Sequence, residues 1–184
     1  MKKFIQTIKN IFSIEDLKNR ILFTLGLILV YRLGSFIIIP GVNSEVLAQA
    51  HEGGGAQGLV GLISTFTGGA FSRASIFALG VMPYISASIV MQLLGVAVPQ
   101  IQKIQKDGES GRKKITQITR WLTIGITMVQ GPAYITNIRS ILPESAFLSE
   151  ALLSPGMFWF SAMIILTSGT IFAMWLGERI QDKG

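Results

Sequence analysis

Apolar residues fall along this chain in long blocks separated by short polar stretches, and block length sets the first reading. Residues 21–39, 74–98, 117–138 and 155–176 are each apolar enough to be read as helices crossing a hydrocarbon core of roughly 30 Å. The first run closes at Pro40 and Gly41, and the second closes at Pro99. Pro83 lies inside the second block, which predicts a kink, because an interior proline removes one helix hydrogen bond. Gly131 and Pro132 interrupt the third block near its outer end. Residues 59–67 are apolar but too short to cross, and Gly68 and Gly69 break the run. The piece from 59 to 73 therefore reads as re-entrant or buried. Polar connections fill 40–58, 99–116 and 139–154, and a charged tail covers 177–184. In residues 1–20, Phe4, Ile5, Ile8, Ile11 and Phe12 recur at helical spacing among basic residues, the pattern of an amphipathic helix on a membrane surface. The expected fold class is all-α and polytopic: four membrane-spanning helices plus one short re-entrant helix.

Composition agrees with this reading. Charged residues make up 14% of the 184 positions and hydrophobic ones 49%, whereas a soluble domain carries about 25% charged residues. The net charge is +6, and its placement is a topology signal. Lys2, Lys3, Lys9, Lys18 and Arg20 precede the first block, and Lys103, Lys106, Arg112, Lys113 and Lys114 sit in the 99–116 connection. The 41–73 stretch has only Arg73, and the 139–154 stretch only Arg139. Basic residues gather on the cytoplasmic side, so the N-terminus, the 99–116 connection and the tail are expected there. Ala48-Gln49-Ala50 mimics a signal-peptidase site, but the preceding run exceeds the ~7–15 residues of a signal sequence, so a retained span is expected. Arg32 falls inside that span, where snorkelling or pairing within the bundle would lower its cost.

Little in the chain suggests catalysis or cofactor binding. Residues 53–58 satisfy G-x-G-x-x-G, but no strand precedes them, so a dinucleotide site is not expected. Residues 108–114 lack the phosphate-loop spacing and read as a tight charged turn. His51 is the only histidine and there is no cysteine, which leaves no metal-ligand cluster. No Ser/His/Asp set is in view, and no enzyme activity is expected. Basic residues are not interleaved with aromatics, so no direct nucleic-acid site is expected. Val81, Ile85 and Ile89 form one aliphatic stripe at i, i+4, i+8. Taken alone it fits lipid or helix contact. Ser86, Ser88 and Gln92 lie off the stripe, and Gln130 sits in the third block, where a polar side chain usually faces protein or a water-filled cavity.

Several motifs carry a resemblance. Gly34-Ser35-Phe36 with Ile39-Pro40-Gly41, Phe66-Thr67-Gly68-Gly69-Ala70-Phe71, and the run Ser72-Arg73-Ala74-Ser75-Ile76-Phe77-Ala78-Leu79-Gly80-Val81-Met82-Pro83-Tyr84-Ile85-Ser86-Ala87-Ser88 are similar to the SecY/Sec61α family. So are Glu109-Ser110-Gly111-Arg112-Lys113-Lys114-Ile115 and Met174-Trp175-Leu176-Gly177-Glu178-Arg179-Ile180. Pro132 is a local departure. The resemblance implies part of a ten-helix channel built from two inverted halves, with this chain supplying four of the first half's five spans. It implies a plug over 59–73, with Leu59, Ile63, Phe66, Gly68, Gly69, Phe71 and Arg73. It places Val81 and Ile85 in a hydrophobic pore ring, and Ser86, Ile89 and Gln130 at a lateral gate. The implied activity is translocation of secretory proteins across the bacterial plasma (inner) membrane and lateral release of membrane helices, with no cofactor. The implied partners are SecE and SecG, the SecA motor or a ribosome, signal sequences and nascent chains, and membrane lipid. The runner-up is half of an inverted-repeat secondary transporter, which would need a charged or unwound substrate site at mid-membrane. An intramembrane enzyme would need a catalytic dyad.

Overall fold

A computed structural model describes residues 13–43, 46, 59–141, 147 and 154–184. Residues 1–12 of the surface helix expected over 1–20, the G-x-G-x-x-G run and His51 lie outside the described residues.

Helix α1 spans Glu15–Gly34. It begins inside the segment expected to precede the first span, with Glu15 and Asp16 in the first turn, where the helix dipole favours acids. It also stops short of the expected end at residue 39. Gly34 abuts the Phe77 ring: a Cβ there would lie 2.1 Å from Phe77 Cε2. Pro40 disfavours a helical Ile39, and the chain instead extends beside the segment that follows the second helix. Ile38 pairs antiparallel with Ser75, Ile39 N–H donates to Ala74 O at 2.8 Å, and Ile76 N–H donates to Ile37 O at 2.9 Å.

Helix α2 is the short piece Leu59–Phe66. Gly68 ends it with φ +63°. Gly69 N–H donates to Ser64 O at 2.7 Å and Gly68 N–H to Thr65 O at 3.1 Å, the paired bonds of a Schellman cap. Residues 67–81 then run through turns, with Gly69, Ala74 and Gly80 at φ +83°, +48° and +53°. The expected second helix over 74–98 is therefore corrected. Regular helix α3 covers Met82–Ala97 only, because 74–81 form backbone bonds to 37–39 and tight turns. Pro83 falls in the first turn of α3, where a missing N–H removes no intrahelical bond, so it starts the helix rather than kinking it.

The polar connection over 99–116 is also more ordered than expected. Helix α4 covers Pro99–Lys106 and meets α3 at 102°. The corner is Val98, at φ −111° and ψ 113°, the extended conformation that a following proline imposes. After Asp107, helix α5 runs over Gly108–Ile141 and includes Glu109–Lys114, so the tight charged turn expected over 108–114 is corrected: the chain turns only at Asp107 and Gly108, the latter at φ +66°. Pro132 lies inside α5 without ending it. Helix α6 covers Pro155–Lys183 and takes in most of the charged tail.

Among the described residues one helix, Gly156–Lys183, is long and apolar enough to cross a membrane; the bent α3–α4 pair passes only if taken as one broken span. The count differs from the expected four for local reasons. Between Arg20 and its end, α1 keeps only residues 21–34, with Arg32 among them. In α5, Thr119, Thr123, Thr127, Gln130 and Asn137 dilute the apolar residues.

Helix α3 packs on α5, α5 on α6, and α6 on α1. The core lies where the 67–81 turns meet α5 and α6: Ile39, Ala78, Leu79, Tyr134, Ile135, Ala162 and Leu166 are buried together. Phe77 stacks on Tyr31 of α1 at 5.1 Å and on Phe172 of α6 at 5.9 Å, tying the turn segment to both helices.

Candidate functional site

The residues singled out in the sequence gather around α2, the turns after it and the exposed face of α3. The α2 segment is tied at its C-terminal end. Arg32 Nη1 donates to Gly68 O at 2.8 Å. Within the segment, Ser72 Oγ donates to Ser64 Oγ at 2.6 Å, and Phe71 N–H donates to Thr67 Oγ1 at 3.1 Å. From α5, Tyr134 O–H donates to Phe71 O at 2.8 Å, and the two rings meet edge-on at 4.8 Å. Arg73 lies over the Phe36 ring at 4.6 Å. Ile63 points inward, while Phe66 is 79% exposed. Leu59 opens α2.

Ile63 and Phe71 share a cavity of about 280 Å³ with Leu79, Met82, Gln130 and Tyr134. This cavity joins two groups kept separate in the sequence, the α2 segment and Gln130. Ser86 is half-buried on α3 but does not line it.

Helix α3 divides into two stripes of different environment. Pro83, Ala87, Met91 and Gly95 are buried. Val81, Ile85, Ile89 and Leu93 are exposed, from 37% at Val81 to 64% at Leu93. Both stripes have a four-residue spacing, so adjacent members lie one above another on one face. The aliphatic stripe read from the sequence is thus the side of α3 turned away from the helices of this chain. It begins at the end of the turn segment that carries α2.

Three contributors had a weak signal in the sequence or none. Arg32 stood out as a charge in an apolar run, but its acceptor, a turn carbonyl 36 residues away, could not be foreseen. Phe36 and Tyr134 carried no chemical signal, since an aromatic in an apolar block is ordinary. At the other end of the helices, Arg120 of α5 grips both carboxylate oxygens of Glu178 of α6 through one guanidinium edge, Nε–Oε1 at 3.1 Å and Nη2–Oε2 at 2.5 Å.

The sequence model of the SecY family matches residues 75–184. The chain belongs to the SecY family. Curated relatives agree over most of its length. It is 46% identical over 173 residues to the protein translocase subunit SecY of Escherichia coli strain K12, covering 94% of this chain and 38% of that protein. It is 45% identical to the SecY of Buchnera aphidicola subsp. Acyrthosiphon kondoi, covering 94% of this chain and 47% of that one. The Streptomyces coelicolor SecY is 42% identical over 177 residues, with 94% and 40% covered. The chain thus spans less than half the length of these relatives. The family fits the all-helical architecture of the described residues.

Proposed function

We propose that this chain is the N-terminal part of the central subunit of a protein-conducting channel in the bacterial plasma membrane, carrying the plug and one side of the lateral gate. The observation that carries the reading is the combination of a helix too short to cross, α2, with an exposed aliphatic face that starts at Val81. Blocks 21–39, 74–98, 117–138 and 155–176 are its four spans. The second is completed by turns rather than by regular helix. The N-terminus, α4 with the start of α5, and the end of α6 face the cytoplasm, where their lysines and arginines belong.

In this reading the segment from Leu59 to Arg73 closes the channel at rest. Val81 and Ile85 supply part of a narrow aliphatic ring. Such a constriction opposes ions, which would have to shed water there, while deformable side chains mould around a moving peptide. Ser86, Ile89 and Gln130 line the side that opens to lipid. A signal sequence, itself an apolar helix, drives opening by burying its surface there, since it binds the open state better than the closed one. The ring and gate are completed by residues beyond this chain. SecE, SecG, the SecA motor or a ribosome, nascent chains and lipid are the partners, and the channel acts as a conduit without catalytic chemistry.

Two measurements on the full-length protein test the reading. Deleting residues 59–67 should raise resting ion conductance in planar bilayers; unchanged conductance removes the plug assignment. Photo-crosslinkers at Ile85 and Ile89 should capture a stalled secretory chain. Crosslinks to lipid alone would return the stripe to a lipid-facing role.

A further inference from the structure

Two guanidinium groups converge on the turn that ends α2, and neither has a carboxylate partner among the described residues. Arg32 Nη1 binds Gly68 O at 2.8 Å while its Cζ lies 5.2 Å from the centroid of the Phe36 ring. Arg73 Cζ lies 4.6 Å from the same ring. Its Nη1 is buried with no hydrogen-bond partner among the described residues. Its Nη2 would sit 2.9 Å from a Cβ at Gly69. Gly68 and Gly69, both at positive φ, thus put a carbonyl against one arginine and a bare Cα against the other.

We propose that Arg32, Phe36 and Arg73 form a latch that holds the α2 half-helix docked and lets it leave as a unit. The inference rests on reading α2 as the plug. The fixed side of the latch is well defined. Tyr31, one residue before Arg32, stacks on Phe77. Residues 74–76 are pinned to 37–39 by backbone bonds. Arg73 therefore stands at the border of the immobile part, next to Ala74 with its φ of +48°. The part free to swing is α2 with its glycine turn. The Ser72–Ser64 and Phe71–Thr67 bonds are internal to the 59–73 segment. The bond from Arg32 to Gly68 instead crosses from α1 to the glycine turn, whereas the bond from Tyr134 of α5 to Phe71 O lies beyond that turn, on the fixed side. Phe36 is a positioning residue: its ring carries both guanidiniums and aims Arg32 at the carbonyl.

The chemistry suits release. Breaking an ion pair in a low-dielectric setting strands a charge and is strongly opposed. A guanidinium bound to a carbonyl and an aromatic face leaves no carboxylate behind. The unpartnered Nη1 of Arg73 further narrows the gap between docked and displaced states, since burying an unmade donor disfavours the docked state.

The test uses full-length protein with its partner subunits in liposomes. One spin-label pair sits at Leu62 on α2 and Thr136 on α5, both exposed. A control pair sits at Met128 on α5 and Ile164 on α6, also exposed. The unmutated latch should give one narrow Leu62–Thr136 distance. Arg32→Met should add a second, longer distance, with the docked-to-displaced ratio shifted roughly tenfold by loss of a charged hydrogen bond. Phe36→Leu should shift it in the same direction. Arg32→Lys should shift it less, because an ammonium keeps a donor but not the planar stack. An unchanged distribution in both Arg32→Met and Phe36→Leu overturns the latch. Should Arg32→Met also disturb the control pair, Phe36→Leu decides alone, since it keeps an apolar side chain and the Gly68 bond donor. Planar-bilayer recordings on the same proteins separate the two claims. Displacement without added resting conductance keeps the latch and removes the plug. A leak on deleting residues 59–67, with immobile labels in the latch variants, keeps the plug and removes the latch.

Discussion

Substituting Gly169 by alanine adds one methyl group at a close approach between α6 and the turn segment. Its Cβ would lie 2.0 Å from Ile76 O, 3.0 Å from Ile76 C and 3.3 Å from Phe77 Cδ1. Ordinary contact starts at 3.4 Å, so helix and turn must part by more than 1 Å. The obstacle is backbone, and it cannot rotate away. Ile76 is held by its own N–H bond to Ile37 O, and Phe77 is clasped between Tyr31 and Phe172. Overpacking of this kind costs about 1–3 kcal/mol, with the upper end expected here. Alanine returns about 1 kcal/mol through helix propensity, leaving a net loss of about 2 kcal/mol. Gly125→Ala is the matched comparison. Gly125 lies inside α5, and a Cβ there would meet nothing within 4 Å, so the same change should gain about 0.5–1 kcal/mol. Denaturant or thermal unfolding of the full-length protein in detergent reads both. If Gly169→Ala unfolds at or above the midpoint of Gly125→Ala, the close approach of α6 to Ile76 is wrong.

Two further substitutions probe the ties among the helices. Arg120→Ala and Glu178→Ala, with the double variant, should show a coupling of about 1 kcal/mol in a double-mutant cycle, because the pair is bidentate but Arg120 is 44% exposed. Coupling near zero would make the pair incidental, and Arg120→Lys should recover only part of it, since an ammonium cannot span both carboxylate oxygens. Tyr134→Phe removes the bond to Phe71 O but keeps the edge-on ring contact, and should lower stability by about 1 kcal/mol in the same unfolding assay. Tyr134→Leu should lower it further by losing the ring, and equal losses in both variants would mean that the hydroxyl does not contribute.

The parts of the fold governed by local rules were legible in the sequence. Residues 59–67 were too short to cross, and the double glycine after them marked the end of α2. The block at 155–176 became α6, lengthened by polar residues that a helix accepts as readily as apolar ones. The misjudged parts depended on contacts distant in sequence. Residues 74–81 look helical from their apolar content, yet Ile39 and Ile37 take their backbone groups into short bridges, so helix starts only at Met82. Pro83 changed meaning with that boundary, from a kink to a first-turn residue. Residues 99–116 look like a loop by charge alone, but Pro99 only turns the chain at Val98 and α4 starts at once. For the candidate site, the i, i+4 stripe on α3 followed from spacing. Arg32, Phe36 and Tyr134 are joined to the α2 segment by tertiary geometry that spacing cannot encode.

Helix α2 and the turns after it differ in packing, and the proposed function depends on the contrast. In the turns, Thr67, Ala70, Ala74, Ser75 and Ala78 are at most 2% exposed, and Phe77 and Leu79 are buried beside them. Opening that part would break core contacts, backbone bridges and two ring stacks together. On α2 itself, Leu62 and Phe66 are exposed, and the helix is held chiefly at its C-terminal end, by Arg32 on Gly68. Regions with few buried contacts open at lower free energy than the core they adjoin. On the proposed reading, α2 therefore leaves without disturbing the turns that position Val81 and the start of α3. A plug that moves over a ring that stays in place requires such a division, and on the proposed reading it falls at the glycine turn, between exposed Phe66 and buried Ala70.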